Sequence, residues 1–201
     1  MPEFYRGTNA NVISRVARVL YAPATYPAPT QLDHVISLST YEPNAIYGWS
    51  DLGLTLEPLT LPHSVETASF VTQQRGEIRT APQDAKFMAR TTLGEVTLAN
   101  RKIFMEGDDI TTPTAGQNRM MIGKPKSLTN FRISFLNLDE DSGMIDGIIL
   151  LKTQITGAAG EQSWTRGQAS TLPIEVQAYP NDDNILTTDG KTVVRIDLQQ
   201  V

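Results

Sequence analysis

The sequence predicts a mainly β fold, β-sandwich or barrel-like, with one flanking α-helix and long loops. Three observations carry that prediction. Phe131, Ile133 and Phe135 alternate with Arg132 and Ser134, the period-two pattern of a half-buried strand. From Thr171 to Tyr179, Ile174, Val176 and Ala178 point one way while Glu175 and Gln177 point the other. Val194, Ile196 and Leu198 repeat the pattern in a strand from Thr192 to Leu198, behind an Asp189-Gly190 turn.

Taken in order, residues 1–63 read as an extended N-terminal arm packed on the domain or on a neighbour. They hold seven of the twelve prolines. Val12 to Tyr21 fits either a strand or a helical turn, and Thr30 to Leu38 has room for a short helix behind Asp33. Residues 64–201 read as the β domain. Val65 to Val71 and Lys86 to Thr92 are its first strands. The fourteen residues between them, Thr72 to Ala85, are mostly polar and far exceed the two to five that a hairpin requires. Such an arm implies a contact, and Gln73, Gln74, Arg75, Glu77, Arg79, Gln83 and Asp84 are its candidate contact residues.

Thr92 and Glu95 have capping-box spacing, with Leu93, Val96, Ile103 and Phe104 on one helical face and Gly107 as a stop. Glu106 to Thr129 reads as a second long loop. Strands from Phe131 to Leu138 and from Gly147 to Thr156 flank an Asp139 to Gly143 turn. No internal repeat is evident.

The chain has 201 residues, 40% hydrophobic and 19% charged, with a net charge of −5. That length buries about 70% of the unfolded surface, and the acidic balance argues against tight phosphate binding, which requires clustered Lys and Arg. There are no cysteines, so disulfides, thiolate metal sites and cysteine nucleophiles are excluded. Met1 to Phe4 does not open a secretory signal, and no apolar run is long enough to span a membrane.

No cofactor, metal or catalytic group is expected. His34 and His63 stand in no metal-binding spacing. Six residues separate Gly116 from Gly123 and Pro125 follows Lys124, against the P-loop pattern. The Asp139, Asp141 and Asp146 cluster breaks calcium-loop spacing and reads as a solvated turn. Gly157 to Gly160 lacks basic neighbours for nucleic acid, and Ser142 and Ser163 lack an activating histidine. Trp49, within an otherwise loop-like arm, is the candidate interface anchor; Trp164 reads equally well as core edge or interface.

One resemblance emerges from the order and spacing of several short signals. Trp49-Ser50-Asp51-Leu52-Gly53-Leu54-Thr55 resembles the W-x-D-L-G-x-T entry of tailed-bacteriophage major tail tube proteins. A strand ending near Gln74-Arg75-Gly76 follows, then Thr92 and Glu95. Leu172 to Asp182 is similar to a late strand of that family, and Arg18 to Pro23 to an N-terminal arm of some members. The similarity extends from about residue 16 to the C-terminus. It departs at the acidic cluster between Asp139 and Gly147 and at Glu77 after Gly76.

That resemblance implies a structural virion protein that self-assembles into stacked hexameric rings, forming a hollow tail tube through which DNA passes unbound. It also implies tape measure, tail terminator and baseplate or tail-tip partners, and assembly in the host cytoplasm. A closed multi-chain sheet would remove unpaired edges, and the polar arm would suit ring-to-ring stacking. The alternative is a monomeric or trimeric β-sandwich binding module of the virion, for decoration or host recognition.

Overall fold

The computed structural model describes residues 17–72, 76–107, 109–123, 128–139, 144–156, 170–181 and 193–200, with the backbone alone at 65–72, 76–85 and 138–139. Among these, the strands in chain order are β1 (Arg18–Pro23), β2 (Ser50–Leu54), β3 (His63–Thr72), β4 (Gly76–Leu93), β5 (Thr111–Thr114), β6 (Gln117–Arg119), β7 (Phe131–Asp139), β8 (Met144–Ile155), β9 (Leu172–Ala178) and β10 (Arg195–Gln200). The α-helix is α1 (Leu98–Phe104), and single 3-10 turns occupy Leu32–His34 and Ala45–Tyr47. The mainly β expectation holds.

All pairings are antiparallel, in the order β2-β1-β7-β8-β9-β4-β3, with β10 on β8. The sheet curls until its two sides meet. Past β2 the chain turns onto β4, where Thr55 bridges Leu93 and Leu56 N–H donates to Thr92 O at 2.8 Å. Six strands thus close into a barrel, which leaves those edges nothing to aggregate with. Each of the six supplies buried side chains to one interior cluster: Val19, Leu52, Ala89 and Leu93, Phe131 with Ile133 and Phe135, Leu150, and the alternating Leu172, Ile174, Val176 and Ala178. Helix α1 adds Phe104, edge-on to Phe131 with ring centroids 6.4 Å apart.

A second cluster lies on the opposite face of β1, β7 and β8. Leu20, Leu136, Ile145, Ile149 and Leu151 are covered there by Leu32, Val35, Ile36 and Trp49 from the segment between β1 and β2. Residues 18–54 of the stretch read as an extended arm are therefore built into the main sheet or laid across it. Trp49, the candidate interface anchor, is 4% exposed. Its surface is spent on the second core cluster of its own subunit.

This double cover corrects the half-buried reading of Phe131 to Leu138. Arg132 and Ser134, expected outward, are 1% and 0% exposed. Arg132 donates through Nη1 to the carbonyls of Pro23 and Tyr26, where the chain leaves β1 to cross the sheet. A charge so deep is tolerated because backbone oxygens replace its water.

The stretch that carried the family resemblance turns out to close the barrel. Asp51 accepts from Arg18 Nε at 2.7 Å and from its own neighbour, Gly53 N–H, at 2.8 Å. Gly53 adopts φ +98° beside a shift of register between β1 and β2, and a Cβ there would lie 2.6 Å from the Glu95 carboxyl carbon. Thr55 is buried, and its hydroxyl receives Ala17 N–H at 3.1 Å. Each motif residue except the exposed Leu54 has a folding task for its side chain or its backbone conformation, Ser50 Oγ donating to Tyr21 O at 3.3 Å.

Two expectations shift here. The helix begins at Leu98, with Thr97 as N-cap accepting from Asn100 N–H at 3.1 Å. Thr92 instead belongs to β4, opposite Pro173 of β9, and its hydroxyl donates to Glu57 Oε2 at 2.6 Å. The sheet ladder outcompetes the local capping signal. The second long loop carries β5 and β6, a small separate hairpin.

Candidate functional site

The long polar arm is strand, not loop. β3 and β4 pair continuously from His63↔Phe87 to Thr72↔Gly76, so the connection shrinks to residues 73–75. β9 pairs β4 only over Phe87–Leu93, and residues 76–86 pair with β3 alone among the described residues. The result is a two-stranded ribbon that runs roughly 30 Å beyond the barrel at about 3.3 Å per residue. Two register shifts interrupt it, between Glu66 and Thr67 and between Phe70 and Val71, leaving Gln83 and Ile78 as the extra residues on β4. Bulges of this kind increase twist and bend a ribbon.

Of the candidate contact residues, Glu77, Arg79, Gln83 and Asp84 lie on the β4 side of that ribbon. Gln73, Gln74 and Arg75 fall in the connection, outside the described residues. The stretch is mostly polar in sequence, which is why alternation did not mark it. The usable signals were its β-branched residues, Thr72, Ile78 and Thr80.

A second surface is the outer face of β8, β9 and β4 beyond the barrel interior. Register places Gln154 opposite Gln177, Gln177 opposite Met88, and Glu175 opposite Arg90. Arg90 Nε and Glu175 Oε2 are 2.8 Å apart, an ion pair that largely cancels its own charge. Gln154 donates to Asn130 Oδ1 at 2.9 Å. The face is polar and half-exposed, and by strand alternation Lys86 and Lys152 share it with Arg90 and the glutamines.

Several strand edges stay open among the described residues, including that of residues 76–86 of β4 beyond β9. β3 pairs only with β4, and β10 only with β8. Such edges are templates for another chain.

Nothing described gathers catalytic chemistry. His34 stacks on Tyr47 at 4.3 Å and His63 on Phe87 at 4.1 Å, so both rings have packing roles. No group of three metal-ligating side chains comes together among the described residues. Tyr21 has its hydroxyl pKa raised by burial, partly offset by Lys102. Asp109, fully exposed, is lowered by its hydrogen bond to Lys102. No described helix is long and apolar enough to cross a membrane. Trp164, Gly157 to Gly160, the core of the Asp139 to Gly143 turn and the Asp189-Gly190 turn lie outside the described residues.

A family model described as phage tail tube protein matches residues 7–189. No curated protein matches the chain.

Proposed function

The chain belongs to the phage tail tube protein family, a structural component of the virion tail, and from that premise we propose that it assembles as stacked hexameric rings enclosing a DNA-conducting lumen. The observation that carries the reading is the β3–β4 ribbon, which leaves its own barrel with both outer edges unpaired among the described residues. A two-stranded ribbon is marginal in water by itself. Docked on the next ring it gains the contacts that its own subunit does not supply. Glu77, Arg79, Gln83 and Asp84, with Gln73 to Arg75 at the tip, are the proposed inter-ring contacts.

Within a ring, the open edges of β3 and β10 are where neighbouring sheets join. The polar face of β8, β9 and β4 is the proposed lumen wall. The acidic balance of the chain, net −5, weighs against tight phosphate binding, so DNA slides past without being held. The tape measure, tail terminator and baseplate or tail-tip proteins are the expected partners at the ends of such a tube, with assembly in the host cytoplasm.

Negative-stain microscopy of purified protein tests the proposal. Rings or tubes are expected, and a monodisperse monomer at high concentration would sink it. Deleting residues 74–83 should leave a folded subunit, or at most rings, that do not elongate; tubes of ordinary length from that variant would remove the ribbon from the stacking role.

A further inference from the structure

The excursion between α1 and β7 exposes apolar residues that its own subunit does not cover. Its base is pinned twice. Gly107 packs so closely on Met120 that an added Cβ would sit 2.5 Å from the sulfur, and Thr129 N–H donates to Glu106 Oε1 at 3.0 Å. Between those anchors β5 and β6 form a hairpin whose residues are all exposed. Ile110, Met121, Ile122 and Leu128 are 37%, 55%, 56% and 48% exposed. An anchored loop presenting four large apolar side chains marks an interaction surface.

The same chain carries a recess of matching character. A groove of about 420 Å³ lies between the 54–59 segment and β7–β8, lined by Leu56, Pro58, Leu59 and Ile148, with Glu57 and Asp146 at its edge. Its volume is in the range that accepts a bound side-chain cluster or small ligand. Charge is complementary as well. From residue 110 to 130 the sequence holds Arg119, Lys124 and Lys126 and no acidic residue, whereas both charged residues of the groove are acidic.

Position completes the argument. The excursion joins β7 at Phe131, and the groove borders β7 at Asn137. Six residues of strand separate them by about 20 Å, so the two features lie towards opposite ends of the barrel. One subunit can then engage a neighbour with its excursion while receiving another in its groove, the head-to-tail arrangement that propagates rings or filaments.

We propose that the Ile110 to Leu128 excursion of one copy seats Met121 and Ile122 in the Leu56–Ile148 groove of the next copy. This rests on the self-assembly reading above and identifies a contact separate from the β3–β4 ribbon. The chain has no cysteine of its own, so a paired Met121→Cys and Leu56→Cys variant reports the contact directly. Under mild oxidation, assembled double variant should give a ladder of covalent oligomers, and each single variant none. Replacing Met121 and Ile122 together by Asp should weaken assembly about tenfold or more, with the melting temperature of the subunit unchanged.

If wild-type protein forms tubes, yet the double cysteine variant gives no ladder and the Asp variant assembles equally well, this contact is wrong and the tube reading stands. Wild-type protein that never self-associates takes both down. A Leu56→Cys disulfide formed within one chain to a cysteine placed in residues 1–16, with none to Met121→Cys, would assign the groove to the chain's own N-terminal segment and overturn the proposal.

Discussion

Strand β4 lives in two environments, and the contrast between its halves explains much of the molecule. From Phe87 to Leu93 it has β9 on one side and residues 55–63 on the other, and Ala89, Thr91, Thr92 and Leu93 are buried. From Gly76 to Lys86 it has only β3. The second half tolerates residues that the first cannot. Pro82 sits there, opposite Thr67, although a proline in a strand paired on both edges would break a ladder. One half is held by the fold. The other half has no described neighbour but β3, and in the proposed assembly it meets the next ring.

The sharpest way to break this comparison is to place the same residue in both halves. Ala89→Pro should cost about 3 kcal/mol or more, enough to abolish a cooperative melt. Ala81→Pro should leave the melting temperature close to wild type, because local opening of the ribbon does not unfold the barrel. Equal losses would mean that ribbon and barrel are one cooperative unit.

Phe131→Ala removes a ring that touches both α1 and Tyr21, whose ring centroid lies 5.5 Å away. It should cost about 3–5 kcal/mol by denaturant titration. Arg79→Ala, in the ribbon, should stay within about 0.5 kcal/mol and act on assembly instead. A large stability loss from the ribbon variant would contradict the division.

Gly53→Ala should cost about 1–3 kcal/mol, from strain at φ +98° together with the clash against Glu95. Shortening that neighbour by Glu95→Ala should recover the steric part and not the strain, which separates the two causes.

The smallest effect concerns alkaline pH. Tyr21 has a pKa raised above 10.0 by burial, partly offset by Lys102. A raised folded value means that its contribution is fully present below about 10 and is lost as pH rises through the folded value. Melting temperature should therefore fall above about pH 10, and Tyr21→Phe should flatten that fall. An unchanged alkaline slope in the variant would acquit Tyr21.

The parts of the fold legible in sequence were those governed by local periodicity. The alternation at 172–178 appears intact in β9, and β3, β7 and β8 begin or end within a few residues of their expected bounds. The ribbon was harder to see. Residues 72–85 are mostly polar and show no period-two alternation of apolar residues, so a polar strand reads as a polar loop. The capping box at Thr92 and Glu95 misled for the opposite reason. Its local signal is genuine, but Thr92 is claimed by β9, some eighty residues away in the chain. Trp49 reads as an anchor only when the loop around it is taken as exposed.

Local sequence is enough to show a strand-rich chain without thiols, with a long polar stretch and a motif order resembling that of tail tube proteins. These properties are local, because period-two patterning, turn residues and composition are written in consecutive positions. Tertiary structure alone decided which faces are covered and which edges stay open. Arg132 is buried because residues 24–49 cross the sheet above it, and the barrel closes because Thr55 meets Leu93. Burial and edge pairing depend on segments far apart in the chain, and no local pattern records them.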